Sequence, residues 1–176
     1  MAKNKPVYAF EEADSKKRML LGGKGAGLSE MTRLKLPVPP GFTITTEVCN
    51  KYYDNNGKLP KDVMPAVMKN ITKMEKKTGK KWNSTKNPLL VSVRSGAAIS
   101  MPGMMDTILN LGLNEKTVEG FAEQTKNPRF SWDSYRRFIQ LFGKVVFGVN
   151  DEKFDHVLDD AKEKQGVTDD SKLSVE

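Results

Sequence analysis

Four glycines fall within six residues near the start of the chain, in the segment 22–27 with the sequence GGKGAG. Glycine adopts backbone angles that other residues avoid and lets backbone N–H groups approach a ligand closely. Downstream, Leu28, Met31 and Leu34 recur at a spacing that predicts one apolar face of a helix. We therefore expect a glycine-rich turn that opens an amphipathic helix, with Lys24 beside a helix N-terminus that attracts anions.

This segment differs from two common phosphate-binding motifs. A Walker loop ends in Gly-Lys-Ser/Thr, whereas Lys24 is followed by Gly25 and Ala26. A dinucleotide-binding fingerprint requires glycine at the position of Leu28. Two alternatives therefore stay open: a phosphate cradle of another kind, and a tight turn whose lysine is only solvated.

Two more segments carry chemistry. The apolar run 89–93 predicts a buried strand that ends at Arg94, whose planar fork suits phosphate oxygens, although a structural ion pair with a carboxylate is the alternative. Residues 96–107, GAAISMPGMMDT, hold three methionines that would be exposed without reason in a free loop. Either this loop folds over a bound molecule or its methionines fill a core. Asp106 is interpreted as a helix cap rather than a metal ligand.

Short β-prone runs alternate with amphipathic segments along the chain, which predicts a mixed α/β fold, either α/β or α+β. The predicted strands are 7–10, 42–46, 89–93 and 108–113, and the predicted helices, besides that following the glycines, are 47–56, 61–78, 115–125, 131–148 and 151–164.

Composition excludes several classes of protein. The 176 residues contain one cysteine, Cys49, and one histidine, His156, which argues against a structural zinc site and favours a cytosolic location. No apolar run approaches the ~18 residues of a membrane span. The net charge of +7 favours anionic partners, such as nucleotides, phosphometabolites or nucleic acid, without choosing between them. The lysines between 69 and 81 fit a solvated helix face best.

Together these segments resemble the amino-terminal part of the pyruvate phosphate dikinase family. The resemblance extends over residues 7–165 and rests on LLGGKGAGL at 20–28, PVPPGF at 37–42, VSVRSG at 91–96, SMPGMMDTILNLG at 100–112, NPRF at 127–130 and DSYRRFIQ at 133–140. The segment 100–112 is the most specific. Phosphoenolpyruvate synthases and glucan water dikinases share the Gly-Gly-Lys-Gly and Arg-Ser features but not the methionine loop.

The resemblance implies an ATP-grasp-like nucleotide-binding domain, followed in the family by a phosphohistidine domain and a barrel that binds pyruvate or phosphoenolpyruvate. We expect residues 1–113 to form an α/β subdomain with the phosphate-binding loops, 114–165 a helical segment, and 166–176 a linker or the end of the piece. Such a piece alone would not catalyse the full reaction of the family, in which ATP, phosphate and pyruvate give AMP, diphosphate and phosphoenolpyruvate.

The resemblance also implies cofactors, partners and a cellular location. We expect ATP or AMP, Mg²⁺ with ligands after residue 176, a monovalent cation, phosphate, the rest of the polypeptide and a homodimer, in the cytoplasm, with neither nucleic acid nor membrane as partner. A free-standing nucleotide-binding module and a basic nucleic-acid-binding domain that uses the lysines of 69–81 are the alternatives.

The resemblance assigns roles to individual residues. Lys24 and Arg94 match the family's basic residues that hold the ATP phosphates, and are expected to be catalytic. The loop from Gly96 to Gly103, centred on Met101 and Pro102, matches the family's glycine-containing lid over the β- and γ-phosphates. Residues that border this site are expected at Asp106 and Thr107, and no metal ligand is expected among the residues of this chain.

Overall fold

The computed structural model describes residues 4–96 and 106–175. Contacts within the chain divide it into two compact units. Unit 1 contains the described residues up to Lys80 together with Ser95 and Gly96, and unit 2 contains Lys81–Arg94 and the described residues from Asp106 onward. The fold is mixed α/β, as the sequence predicts, with two small sheets and six helices in the described part of the chain.

Unit 1 combines a two-stranded sheet with three helices: β1 (Val7–Ala9), α1 (Arg18–Arg33), β2 (Phe42–Ile44), α2 (Thr46–Asp54) and α3 (Val63–Thr78). The strands are antiparallel, with Val7 opposite Ile44 and Ala9 opposite Phe42. A two-stranded sheet is marginal alone, so its buried face must pack against helices. The buried apolar side chains of this unit are Val7, Ala9, Leu20, Leu21, Ala26, Val48, Val63 and Ile71.

The glycine-rich segment of unit 1 does not form the expected turn ahead of a helix. Residues 18–33 are helical, and only Gly22 has non-helical backbone angles, with φ 69° and ψ 165°. The prediction of a loop over 22–27 is therefore wrong, because three of its glycines accept helical angles where the helix packs against the sheet. Gly25 shows this packing, since a Cβ there would lie 2.8 Å from Oγ1 of Thr43 in β2.

Unit 2 consists of a hairpin and a helical layer: β3 (Val91–Arg94), β4 (Thr107–Leu111), α4 (Thr117–Thr125), α5 (Pro128–Phe147), α6 (Asp151–Gln165) and a 3₁₀ helix (Asp170–Lys172). The strands are antiparallel. Local signals set the helix ends: Asn127 accepts a hydrogen bond from the N–H of Phe130, and Gly148 ends α5 in the left-handed region. By its contacts the hairpin belongs with these helices, whereas the α/β subdomain expected over residues 1–113 would include it.

Close backbone approaches hold unit 2 together. A Cβ at Gly120 in α4 would lie 1.9 Å from the carbonyl oxygen of Thr85, so the helix lies directly against the preceding loop. A Cβ at Gly143 in α5 would lie 2.6 Å from the ring of Phe154 in α6. The buried side chains include Leu89, Leu113, Thr117, Val118, Ser131 and Ser134.

The prediction of a buried strand over 89–93 is wrong for most of its length. Leu89 is buried but precedes β3, and Val93 is 46% exposed. In a two-stranded sheet each strand has a single neighbour, so β3 lacks the cover that a central strand receives. Arg94 consequently ends an exposed strand.

Residues after α6 are attached to α5. The guanidinium of Arg129 donates hydrogen bonds to the carbonyl oxygens of Asp170 and, at 3.2 Å, Leu173. The carboxylate of Asp170 forms ion pairs with Arg136 at 3.6 Å and with Lys162 at 3.1 Å. These contacts give the acidic segment a defined structure through residue 175.

Candidate functional site

The break at Gly22 creates a helix start inside α1. Its angles lie in a region that is essentially restricted to glycine. A new helical segment begins at Gly23 and places Lys24 in its first turn. The positive end of the dipole of this segment and the ammonium of Lys24 therefore lie close together. This arrangement can hold a negatively charged group.

Lys24 contacts the segment that follows β3. Its Nζ donates a 2.9 Å hydrogen bond to the carbonyl oxygen of Ser95. A Cβ at Gly96 would lie 3.9 Å from Cβ of Lys24, so the backbone at Gly96 passes close to this lysine. Unit 1 therefore brings together two residues that the sequence analysis selected, Lys24 and Gly96. One of three ammonium N–H groups is used by Ser95, which leaves two that can bind an anion.

Arg94 and Thr107 lie together in unit 2. They are directly opposite in the β3–β4 pair, at the end of the hairpin from which the connecting segment leaves. Arg94 is exposed and forms no ion pair with a carboxylate in residues 4–96 or 106–175. The described chain therefore offers no carboxylate partner for the structural ion pair that was the alternative role of Arg94. The guanidinium is accessible to a ligand.

Asp106 is exposed and directly precedes β4. The interpretation of Asp106 as a helix cap is wrong, because the residues that follow form a strand. The pKa of Lys144 in α5 is raised, first by its hydrogen bond to Asp151 and further by the negative charge of Asp106. The predicted lid residues Met101, Pro102 and Gly103 lie outside the described residues, and their roles stay predictions.

A cleft of about 780 Å³ in unit 1 was not indicated by any sequence pattern. Its lining includes Ser15, Arg18, Gly27, Glu30 and Arg33. Hydrogen bonds from Arg33 and then Ser15 lower the pKa of Glu30 to about 2, so this carboxylate stays charged. Only the fold brings the loop around Ser15 to α1, which is why local spacing could not reveal this cleft.

The lysine-rich face of α3 is partly neutralised. Lys73 pairs with Glu12, and Lys77 pairs with Glu11 at 2.5 Å. Burial alone would raise the pKa of Glu11, but its bonds to Lys77 and to its own backbone outweigh burial and lower it. The interpretation of this face as merely solvated is therefore incomplete, because two lysines attach α3 to the turn after β1.

The described residues contain no group of three or more His, Cys, Asp or Glu side chains that could hold a metal ion. His156 is exposed on α6, with its side chain 86% accessible. No helix in the described part of the chain is long and apolar enough to span a bilayer.

The sequence model described as "Pyruvate phosphate dikinase, AMP/ATP-binding domain" matches residues 18–61 and 55–156. These ranges cover well over half of the chain. The chain belongs to the pyruvate phosphate dikinase family. Membership agrees with the location of the glycine-rich helix start and of Arg94, which both lie inside the matched ranges.

Curated relatives support this membership. The chain is 57% identical over 169 residues to a pyruvate, phosphate dikinase of Entamoeba histolytica, covering 96% of the chain and 19% of the relative. It is 52% identical over 170 residues to that of Clostridium symbiosum, covering 97% and 20%. It is 51% identical over 177 residues to that of Giardia intestinalis, again covering 97% and 20%. The chain thus spans about a fifth of the length of these relatives.

Proposed function

We propose that this chain is the N-terminal part of the ATP-binding domain of a pyruvate phosphate dikinase, with an ATP-grasp-like architecture. The observation that carries the proposal is the position of Lys24, in the first turn of the helix that restarts after Gly22 and beside the backbone of Gly96. Both residues lie in segments that resemble the phosphate-holding segments of the family.

Lys24 and Arg94 would hold the phosphates of ATP in different ways. The ammonium of Lys24 supplies a compact charge in the first turn of the helical segment after Gly22, whereas the planar guanidinium of Arg94 can bind two phosphate oxygens at once. Negative charge that develops on the transferring phosphoryl group would be stabilised by both side chains. Asp106 and Thr107 would border this site. The loop from Gly96 to Gly103, centred on Met101 and Pro102, would direct backbone N–H groups such as those of Met101 and Gly103 at the phosphates, whereas Pro102 has no N–H to donate.

Magnesium does not fit a site in the described residues, because no three carboxylate, His or Cys side chains converge there. We propose that its ligands lie elsewhere in the parent polypeptide, and no role in Mg²⁺ binding is assigned to Lys24 or Arg94. The monovalent cation, phosphate and a homodimer belong to the same proposal for the whole enzyme. The lone Cys49 is free, which supports a cytosolic location.

In the whole enzyme, ATP, phosphate and pyruvate would be converted to AMP, diphosphate and phosphoenolpyruvate. Lys24→Ala and Arg94→Ala should then abolish the ATP-side half-reaction. Phosphoryl exchange between the phosphohistidine and pyruvate should stay nearly unchanged, since it occurs at another site. Isotope exchange measured separately for each half-reaction tests this, and equal loss of both would overturn the assignment.

Nucleotide binding by the chain itself can be measured by calorimetric titration with Mg-ATP. Lys24→Ala is compared with Lys69→Ala, an exposed lysine of α3 that serves as the matched control. We expect saturable binding that is lost in Lys24→Ala and kept in Lys69→Ala. Binding that weakens equally in both variants would reflect net charge alone and would contradict a specific role for Lys24.

A further inference from the structure

β4 contains an irregularity next to Arg94. Val91 lies opposite Leu111, but Val93 lies opposite Ile108, so one residue of β3 faces two residues of β4. Asn110 is one of those two, and its φ of 59° lies in the left-handed region. One extra residue on one strand, with a left-handed residue within it, defines a β-bulge.

The bulge decides which side chains share a face of the hairpin. Residues directly opposite in an antiparallel pair project to the same side, and successive residues alternate. With the observed register, the directly paired residues and Ser92 separate into an apolar face and a polar face, and Leu109 of the bulge, which is 52% exposed, interrupts the polar face. The apolar face carries Val91, Val93, Ile108 and Leu111, and the polar face carries Ser92, Arg94 and Thr107.

Without the extra residue the same strands would pair differently. If pairing continued from Val91 and Leu111 with one residue of β3 opposite each residue of β4, Arg94 would lie opposite Ile108. Thr107 would then project to the apolar side. The bulge thus keeps Arg94 and Thr107 as the last pair of the hairpin, on one face.

We propose that Asn110 is a positioning residue for nucleotide binding, which acts by holding the register that presents Arg94 and Thr107 together. The inference rests on the proposed function, because it takes Arg94 to bind phosphate. Asparagine tolerates the left-handed region better than most residues, glycine adopts it freely, and β-branched residues are strained there. The backbone angle of Asn110 is therefore the property that matters.

The test uses the full-length enzyme and compares Asn110→Val with Asn110→Gly. Asn110→Val should raise the KM for ATP by about 10- to 100-fold, because small misplacement of a binding group has large effects. Asn110→Gly should stay within about 3-fold of the unmodified enzyme, since glycine accepts the same angles. Phosphoryl exchange with pyruvate should not change in either variant.

Asn56→Val is the control for general strain. Asn56 also has a left-handed backbone, with φ 51°, but lies in the exposed turn that follows α2 in unit 1. Thermal unfolding is recorded for every variant, so that Asn110→Val is compared with Asn56→Val at matched stability. An equal rise of the ATP KM in both would overturn the inference.

A double variant separates this inference from the proposed function. If Asn110 acts through Arg94, Asn110→Val should cause little further loss of Mg-ATP affinity in the background of Arg94→Ala, measured by calorimetric titration because that background lacks the ATP-side reaction. Additive effects would contradict action through Arg94. If Arg94→Ala alone leaves the ATP KM unchanged, the proposed role of Arg94 fails. If Arg94→Ala impairs the ATP-side reaction but Asn110→Val leaves the ATP KM unchanged, only the positioning role of Asn110 is overturned.

Discussion

Gly22 and Gly27 lie in the same helix but meet opposite constraints. Gly22 has φ 69° and ψ 165°, backbone angles at which a residue with a side chain would be strained. A Cβ at Gly27, by contrast, would meet no atom within 4 Å. Gly22→Ala should therefore lower the free energy of unfolding by about 1–3 kcal/mol. Gly27→Ala should raise it by about 0.5–1 kcal/mol, because alanine loses less backbone entropy in a helix. Urea unfolding of both variants measures this difference.

If both substitutions stabilised the chain to a similar degree, α1 would be continuous through Gly22. The helix start beside Lys24 would then not exist, and the anion site proposed there would lose its main support. This outcome is distinct from loss of ATP binding alone, since it concerns the backbone and not the ligand.

Some residues of the site could be predicted from the sequence, and others could not. Lys24 and Arg94 stand out because a cation among glycines, or at the end of an apolar run, is a local pattern. The helical state of the glycines after Gly22 could not be predicted, since it depends on packing against Thr43. The left-handed angle of Asn110 likewise follows from strand pairing across the hairpin.

At the level of elements, α5 carries an ion-pair cluster that should respond to pH. Burial alone would raise the pKa of Asp133, but hydrogen bonds from Arg137 and Arg136 outweigh burial and lower it. A carboxylate with a lowered pKa stabilises the folded state at pH values above the ordinary aspartate pKa of about 3.9. This stabilisation is lost as the pH falls through the lowered pKa of the folded state.

Asp133→Asn should therefore lower stability by about 0.5–1 kcal/mol at neutral pH, and by less as the pH approaches 2. Urea unfolding between about pH 7 and pH 2 gives the two curves, which should converge in acid. Glu163→Gln on α6 is the matched control, since Glu163 is exposed and has no ion pair among the described residues. A constant difference across this pH range would contradict a role for the charge of Asp133.

The attachment of the last residues to α5 can be tested by hydrogen exchange. Arg129 donates to two backbone carbonyl oxygens near the 3₁₀ helix. A hydrogen bond from a charged donor contributes ~1.5–3 kcal/mol, so Arg129→Ala should speed exchange at Lys172 and Leu173 by about tenfold or more. Lys153→Ala, an exposed change on α6, should leave these rates unchanged. Unchanged rates in Arg129→Ala would show that the segment is held by other contacts.

Most helices could be placed from the sequence because their signals are local. Apolar spacing, the cap at Asn127 and the left-handed Gly148 mark α5 without knowledge of its neighbours. The exposure of β3 could not be deduced, because a run of apolar residues does not show how many strands flank it. The defined structure after α6 depends on Arg129, which lies far away in sequence, and was therefore missed.

For the whole molecule, the net charge of +7 keeps the nucleic-acid alternative open to experiment. Within α3, however, Lys73 and Lys77 are paired with glutamates, which weakens the basic face that this alternative requires. We expect a single-stranded DNA 20-mer to bind weakly and to lose at least about tenfold in affinity between 50 and 200 mM salt, as nonspecific phosphate contacts do.

The same variants distinguish the two kinds of ligand. Lys69→Ala should weaken DNA binding slightly and leave Mg-ATP binding unchanged, whereas Lys24→Ala should abolish Mg-ATP binding and leave DNA binding unchanged. Fluorescence anisotropy with labelled DNA, beside the calorimetric titration, gives both affinities. Tight DNA binding that falls steeply with salt, depends on Lys69 and is unaffected by Lys24→Ala would favour the nucleic-acid alternative, because the lysine face of α3 would then hold the phosphates.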